Sequence, residues 1–308
     1  MTLRSEDEVR EFLTSRRAKV RPEQVDLPGG PNRRVPGLRR GEVALLAGVS
    51  IEYYSKLERG HLAGVSESVL DAVARALLLD EAERDHLMDL ARAANDSPTK
   101  QRRRSTRSLT IRPGLQFVLD GITGGPAFVR NGRLDILGAN QLGRALYADL
   151  YETQSHPINL ARFAFLDRKH SDLFYPDWGL AADQSVAILR TEAGKDPYDK
   201  DLQDLIGELS TRSEEFRVKW GAHDVRRHAT GAKQFRHPVV GDLDLVFESA
   251  ELLADPGLSL LLYSAEPGSP TADALRLLAS WTATPTAGAE DPAQPNTTNS
   301  PFSTERDS

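Results

Sequence analysis

The chain has no cysteine. That absence excludes disulfide staples, thiolate metal sites and cysteine nucleophiles, so packing alone must hold its 308 residues. It also has no run near the roughly twenty apolar residues of a membrane-spanning helix, and its first residues are charged, unlike a secretory leader. Both absences lead us to expect a cytoplasmic protein. Positive charge is not in excess either: 39 Lys and Arg face 45 Asp and Glu, a formal net charge of −6. Any affinity for nucleic acid must therefore come from a local surface. Hydrophobic residues make up 39%, enough for folded cores, and the length predicts two domains.

What is present is most informative in Leu38 to Arg59, LRRGEVALLAGVSIEYYSKLER. Val43, Ala44 and Ala47 fall on one face of a first helix, and Ala44 is small enough for a second helix to approach closely. Gly48 suits the left-handed conformation of a sharp helix end, Val49 plugs the corner, and Ser50 can cap the next helix. In that second helix Tyr54 and Leu57 face inward, leaving Ser50, Ile51, Glu52, Ser55, Lys56 and Arg59 outward. Arg39 and Arg40 stand at the N-terminus of the first helix, where unpaired amides already favour phosphate. The eight residues Arg39, Arg40, Ser50, Ile51, Glu52, Ser55, Lys56 and Arg59 are the candidate DNA contacts of a helix-turn-helix, with the arginine pair as phosphate clamp. The alternative is an ordinary helical hairpin. Arg33 and Arg34 extend the basic cluster, and Lys100, Arg102, Arg103, Arg104 and Arg107 form a second one.

Further helices bracket this motif. Glu6 to Lys19 carries Val9, Phe12 and Leu13 on one face; Ser66 to Leu77 begins with a serine cap; Glu81 to Ala94 closes the set through Leu87, Leu90 and Ala91. The run VPGLRRGEVALLAGVSIEYYSKLERG, with SESVLDAVARALLLDEAERDHLMDLARAA after it, resembles the XRE-type helix-turn-helix of MmyB-like transcriptional regulators. The resemblance implies a mostly α, lambda-repressor-like domain over residues 1–94. Two positions depart from the pattern: Gly41 stands where an acidic residue is usual, and Val65 where a proline is usual.

Residues 95–108, NDSPTKQRRRSTRS, lack apolar periodicity and read as a basic linker. Residues 283–308, rich in Pro, Thr, Ala, Ser and Asn, read as a disordered tail. Between them, residues 109–282 show a mixed pattern. Pro126 to Asn131 and Leu134 to Gly138 read as strands about an Asn131-Gly132 hairpin turn, Trp178 to Ala193, the stretch around Leu202 to Leu209, and Ser213 to His223 as helices. Asp242 to Glu248 alternates as a half-buried strand and Leu258 to Tyr263 reads as a more continuous one. Strands at both ends with helices between predict an α+β domain.

The segments PAFVRNGRLDILGAN, NLARFAFLD, LFYPDW, LRTEAGKDP, LSTRSEEFRVKWGAHDV and FRHPVVGDLDL are similar to the ligand-binding domain of the same regulators. That resemblance implies a PAS-like fold with a pocket for a fatty acid. Such a site needs an apolar cavity with one polar end. Phe128, Phe163, Phe165, Trp178, Leu189, Phe216, Trp220 and Phe247 are the candidate ligand-binding walls; Arg190, Arg226, Arg236 and His237 are candidates for the carboxylate, and nothing in the sequence chooses among them. An enzyme reading would use His223, Asp224, His228 and His237, but the spacing of five between His223 and His228 does not fit one helical face, and no HExxH motif is present. Neither catalysis, a metal nor a cofactor is expected.

The resulting expectation is a transcription regulator that reads double-stranded DNA as a homodimer and responds to an apolar ligand. The alternative is a helix-turn-helix protein whose second domain only binds another protein.

Overall fold

The computed structural model describes residues 5–28, 33, 35–95, 110–153, 157–222 and 230–283. Apart from Asn95 and Ala283, which end helices, the expected linker and tail lie outside the described residues.

The N-terminal part is helical: α1 (Ser5–Lys19), α2 (Arg40–Ala47), α3 (Ile51–Glu58), α4 (Glu67–Ala76) and α5 (Glu81–Asn95), with a 3-10 turn over Pro22–Val25. Their apolar faces meet in one core that includes Phe12 and Leu13 of α1, Val43 and Ala44 of α2, Tyr54 and Leu57 of α3, Val73 of α4 and Leu87 of α5. Each fully buried side chain of this size contributes roughly 1.5–3 kcal/mol. The corner between α2 and α3 forms as the residue types require. Gly48 ends α2 at φ 67°, a left-handed conformation in which a Cβ would be strained. The Ser50 hydroxyl then accepts from the Tyr53 amide at 3.1 Å, capping α3.

The C-terminal part is α+β. After α6 (Pro113–Asp120) come β1 (Ala127–Asn131), β2 (Asp135–Ala139), α7 (Gln141–Leu146), α8 (Ala148–Thr153) and β3 (Ile158–Asn159). Helices α9 (Leu160–Leu166), α10 (Arg168–Phe174), α11 (Trp178–Lys195), α12 (Lys200–Arg212) and α13 (Glu214–Gly221) follow. Strands β4 (Thr230–His237), β5 (Gly241–Glu251) and β6 (Leu258–Ser264) and helix α14 (Pro270–Ala283) complete the described chain. The six strands form one antiparallel sheet in the order β3-β2-β1-β6-β5-β4. Its inner face, carrying Phe128, Leu261, Leu245 and Phe235, packs on Leu160, Phe163, Leu189 and Leu205 of the helices. The first strands lie beside the last, so the intervening helices are held over one face.

The β1–β2 connection differs from the two-residue turn the sequence predicts. The strands end at Asn131 and resume at Asp135, and the left-handed residue is Leu134, at φ 68°, not Gly132. The Asn131 side chain accepts from the Arg133 and Asp135 amides, both at 3.0 Å, which shapes a longer loop. Burial of Leu134 in the core offsets its backbone strain. Asn140 fixes the other end of this hairpin: its carbonyl accepts from the Ala127 and Gly143 amides at 2.9 and 2.7 Å, while its amide donates to the Ile122 and Gly125 carbonyls at 2.6 and 2.8 Å.

Candidate DNA-reading face and ligand site

Helix α3 buries Tyr54 and Leu57 and presents Ser50, Ile51, Glu52, Lys56 and Arg59 to solvent, with Ser55 half-buried. Arg39 and Arg40 are exposed at the start of α2. Arg39 and Arg40 stand at the N-terminal end of α2 and Ser50, Ile51 and Glu52 at that of α3, whereas Lys56 lies in the last turn of α3 and Arg59 caps its C-terminus. Tyr53 of α3 is exposed as well, as are Leu45 and Leu46 of α2. The sequence pattern missed these three because apolar and aromatic residues in a helix read as core. On a groove-facing surface they suit contact with thymine methyl groups.

Two arginines of the basic cluster have partners within the protein. Arg33 grips Glu42 with both amino groups, at 2.8 and 2.7 Å, and also donates to the Gly37 carbonyl. The Arg33 hydrogen bond holds the Glu42 carboxyl below its usual range, although partial burial opposes it. Glu42 in turn accepts from the Arg39 amide at 2.7 Å, so Arg33 braces the start of α2 instead of reaching for phosphate. Arg40 lies 3.2 Å from Glu58 but remains 56% exposed, leaving part of its guanidinium free to meet DNA. Arg34 and the second basic cluster lie outside the described residues.

The eight expected wall residues fall into two groups on the inner side of the sheet. Phe128, Phe163 and Phe247 surround a set of tyrosines: Phe128 meets Tyr147 and Tyr263 at ring distances of 5.8 and 5.7 Å, Phe247 meets Tyr263, and Phe163 meets Tyr175. Phe165, Phe216, Trp178 and Trp220 form a second aromatic group among the helices. Leu189 is fully buried on α11. Phe163 also borders a recess of about 20 Å3 beside Tyr147 and His237, room for one water.

The tyrosine set encloses two cations. Arg130 on β1 and Lys233 on β4 project from the apolar face of the sheet. The two strands stand three places apart in the sheet, and the two positive charges repel. Arg130 is buried, its Nε has no hydrogen-bond partner, and no carboxylate pairs with it among the described residues. Burial pulls its pKa down, and the Glu192 charge opposes that shift. Lys233 lies over the rings of Tyr175 and Phe235, at 5.6 and 5.8 Å. Burial, and then Arg130, lower its pKa to about 8. Burial raises the pKa of Tyr147, Tyr175 and Tyr263, keeping all three as neutral hydroxyls. Arg130 is buried and Lys233 half-buried beside these hydroxyls, and neither forms an ion pair with a carboxylate among the described residues.

Comparison with known families decides the class. Residues 111–278 match the model of the MmyB-like transcription regulator ligand binding domain, and residues 8–87 match a helix-turn-helix domain. The chain belongs to the MmyB-like transcription regulators. No curated protein matches it in sequence. It is thus a DNA-binding transcription regulator with a ligand-binding domain.

Within this regulator the carboxylate candidates named from sequence have other engagements. Arg190 pairs with Glu8 of α1, and Arg236 pairs with Asp242 on the exposed face of the β4–β5 hairpin. His237 donates from Nε2 to the Ala145 carbonyl at 3.1 Å and accepts at Nδ1 from the Val239 amide at 3.2 Å, a satisfied structural histidine. Arg226, His223, Asp224 and His228 lie outside the described residues. Arg130 and Lys233 went unnoticed because a charged residue in a strand reads as outward-facing. The faint signal was phase: Arg130 is two residues from Phe128, and Lys233 two from Phe235, so each shares an apolar face.

A cleft of about 1050 Å3 lies between the two parts of the regulator, bordered by His86, Met88 and Arg92 of α5 and by Arg130, Glu192 and Lys195 of the ligand-binding domain. Among the described residues no helix is long and apolar enough to cross a membrane.

Proposed function

We propose that this regulator reads operator DNA with α3 and that its C-terminal domain binds a long-chain fatty acid, whose carboxylate sits between Arg130 and Lys233. The pairing of a buried arginine and a half-buried lysine with three neutral tyrosine hydroxyls carries this reading. A fatty acid supplies the missing charge to the cluster and an acyl chain to the surrounding Phe128, Phe163 and Phe247. The strand order, with the first strands beside the last and helices inserted between, supports a PAS-like description of the domain. The protein acts in the cytoplasm as a binding protein without catalytic chemistry. It works as a homodimer on paired half-sites about one helical turn apart.

Native mass spectrometry of the gently purified chain tests the ligand, and titration with oleate and with its methyl ester tests the charge. We expect a discrete acyl mass, and oleate binding at least tenfold tighter than the ester. Equal binding of acid and ester removes the cationic cluster from the site. Binding of neither leaves the second domain as a protein-interaction module.

A further inference from the structure

The two domains share a buried charge pair. Arg190, midway along α11, is fully buried, yet its carboxylate partner belongs to the other domain: Nη1 donates to Oε1 of Glu8 on α1 at 2.5 Å. Its second amino group donates to the Trp220 carbonyl, and its guanidinium carbon lies 4.1 Å over the Trp220 ring. His86 of α5, also buried, approaches the same Glu8 oxygen at 3.8 Å and packs edge-on against Phe12 at 4.9 Å. Gly194, one turn beyond Arg190, faces that histidine so closely that a Cβ would come within 2.6 Å of its Cε1. Taking an ion pair out of water adds little stability compared with apolar packing, but it demands one geometry, because a displaced partner leaves a bare buried charge.

We propose that Glu8 and Arg190 form an interdomain latch that sets the orientation of the helix-turn-helix domain on the ligand-binding domain and passes the state of the ligand core to α3. Helix α11 serves both sides, with Val186 and Leu189 in the ligand-domain core and Arg190 at the interface. Trp220, under Arg190, stacks on Phe216 at 5.6 Å, and Phe216 meets Phe165 at 5.0 Å, so the latch continues into the aromatic group. On the far side, α1 carries Glu8 and, about 14 Å along its axis, Arg17, which together with Thr14 holds Glu58 at the end of α3. One rigid helix thus has the latch near one end and the recognition helix near the other. The DNA-reading residues are exposed in the latched arrangement, so the latch controls by orientation and not by covering them. The docking stands without the fatty-acid reading; only what shifts it rests on that reading, since a ligand moves the equilibrium by its differential affinity for two states.

Because the chain has no cysteine, Arg75→Cys on α4 and Lys169→Cys on α10, both exposed, accept spin labels at two defined places in the full-length protein. Pulsed electron–electron measurements should give one narrow distance in this labelled parent. Glu8→Gln, which removes the charge, and Gly194→Ala, which wedges the interface without touching the charge, should each broaden the distribution at least twofold while cooperative melting persists. A broad parent distribution, or an unchanged narrow one in whichever variants melt cooperatively, overturns the latch. Failure of both variants to fold overturns it too, since the contact would then be a folding requirement. Oleate added to the parent should shift the distance. Oleate that binds, as read by tryptophan fluorescence, without moving the distance overturns transmission, whereas oleate that does not bind sinks the ligand reading and leaves the docking intact.

Discussion

Arg17 on α1 holds Glu58 on α3 through two guanidinium nitrogens, Nη2 to Oε1 at 2.9 Å and Nε to Oε2 at 3.1 Å. Thr14 donates to the same carboxylate at 3.0 Å and Arg40 at 3.2 Å, so a residue with 1% exposure anchors the last turn of the recognition helix. Burial alone would raise the Glu58 pKa, but the Arg17 hydrogen bond and charge, then Arg40 and Thr14, bring it below the usual carboxylate value. A carboxyl with a lower pKa in the folded state contributes stability above its unfolded pKa and loses it as pH falls through the folded one. Melting of the helical domain, followed by circular dichroism, should therefore shift to lower temperature on acidification below the ordinary glutamate range of about 4.3. Glu58→Ala should cost about 3–5 kcal/mol, because it leaves Arg17 without its buried partner. A glutamine variant with the same acid-side slope as the parent would assign that slope to other groups.

The two arginines at the start of α2 should behave differently in DNA binding. Arg39→Ala removes one exposed charge whose side chain has no cap bond, and should lower the salt slope by about 1 with no change in sequence preference. Arg40→Ala should do the same and also lower the melting temperature, since Arg40 helps to hold Glu58. Lys56→Ala, on the outward face of α3, should alter preference at one position by roughly 1–3 kcal/mol. If Lys56→Ala changes neither affinity nor preference, α3 meets the groove in a different register.

The helix pair was legible because its geometry depends on local residue types. Gly48 is required by a positive φ, Ser50 by an exposed amide, and Ala44 by close helix approach. The α+β class was legible from alternation in β5, where Leu243, Leu245 and Phe247 point inward. Strand β4 was not, because two of its inward residues, Lys233 and His237, are polar and break the apolar period. The β1–β2 turn escaped for a related reason. Glycine signals a left-handed residue, but side-chain bonds from Asn131 moved that conformation to Leu134. The cationic cluster and the Glu8–Arg190 pair depend on residues a hundred or more positions apart, and no local pattern reports such contacts. Arg190 reads from sequence as a candidate for a ligand carboxylate, and nothing near it in the chain points to Glu8.

Asn140 should prove the most sensitive neutral residue of the ligand-binding domain. Its side chain makes four hydrogen bonds that tie β1, the preceding loop and α7 together, and it is 1% exposed. Asn140→Ala leaves buried amides and carbonyls without partners, at a cost of roughly 2–4 kcal/mol. All three tryptophans, Trp178, Trp220 and Trp281, lie in the C-terminal half, so tryptophan fluorescence follows the unfolding of this domain. The fluorescence midpoint should fall. A midpoint equal to the parent's would mean that water replaces these bonds without loss.

Anion binding at Arg130 and Lys233 should carry a pH signature of its own. The free-state pKa of Lys233 is lowered to about 8, by burial first and by Arg130 second, and a bound carboxylate between the two cations would raise it. A base with a higher pKa in the complex takes up protons on binding between the two values, so affinity is full below pH 8 and declines as pH rises above it. Oleate titrations should therefore show constant affinity from pH 6.5 to about 8 and up to a tenfold loss per unit above that. Lys233→Met should flatten this profile and weaken binding at pH 7, whereas Arg130→Met should weaken binding with the basic-side decline kept, because Lys233 still titrates. A decline that survives Lys233→Met would move the titrating group elsewhere and remove Lys233 from the carboxylate site.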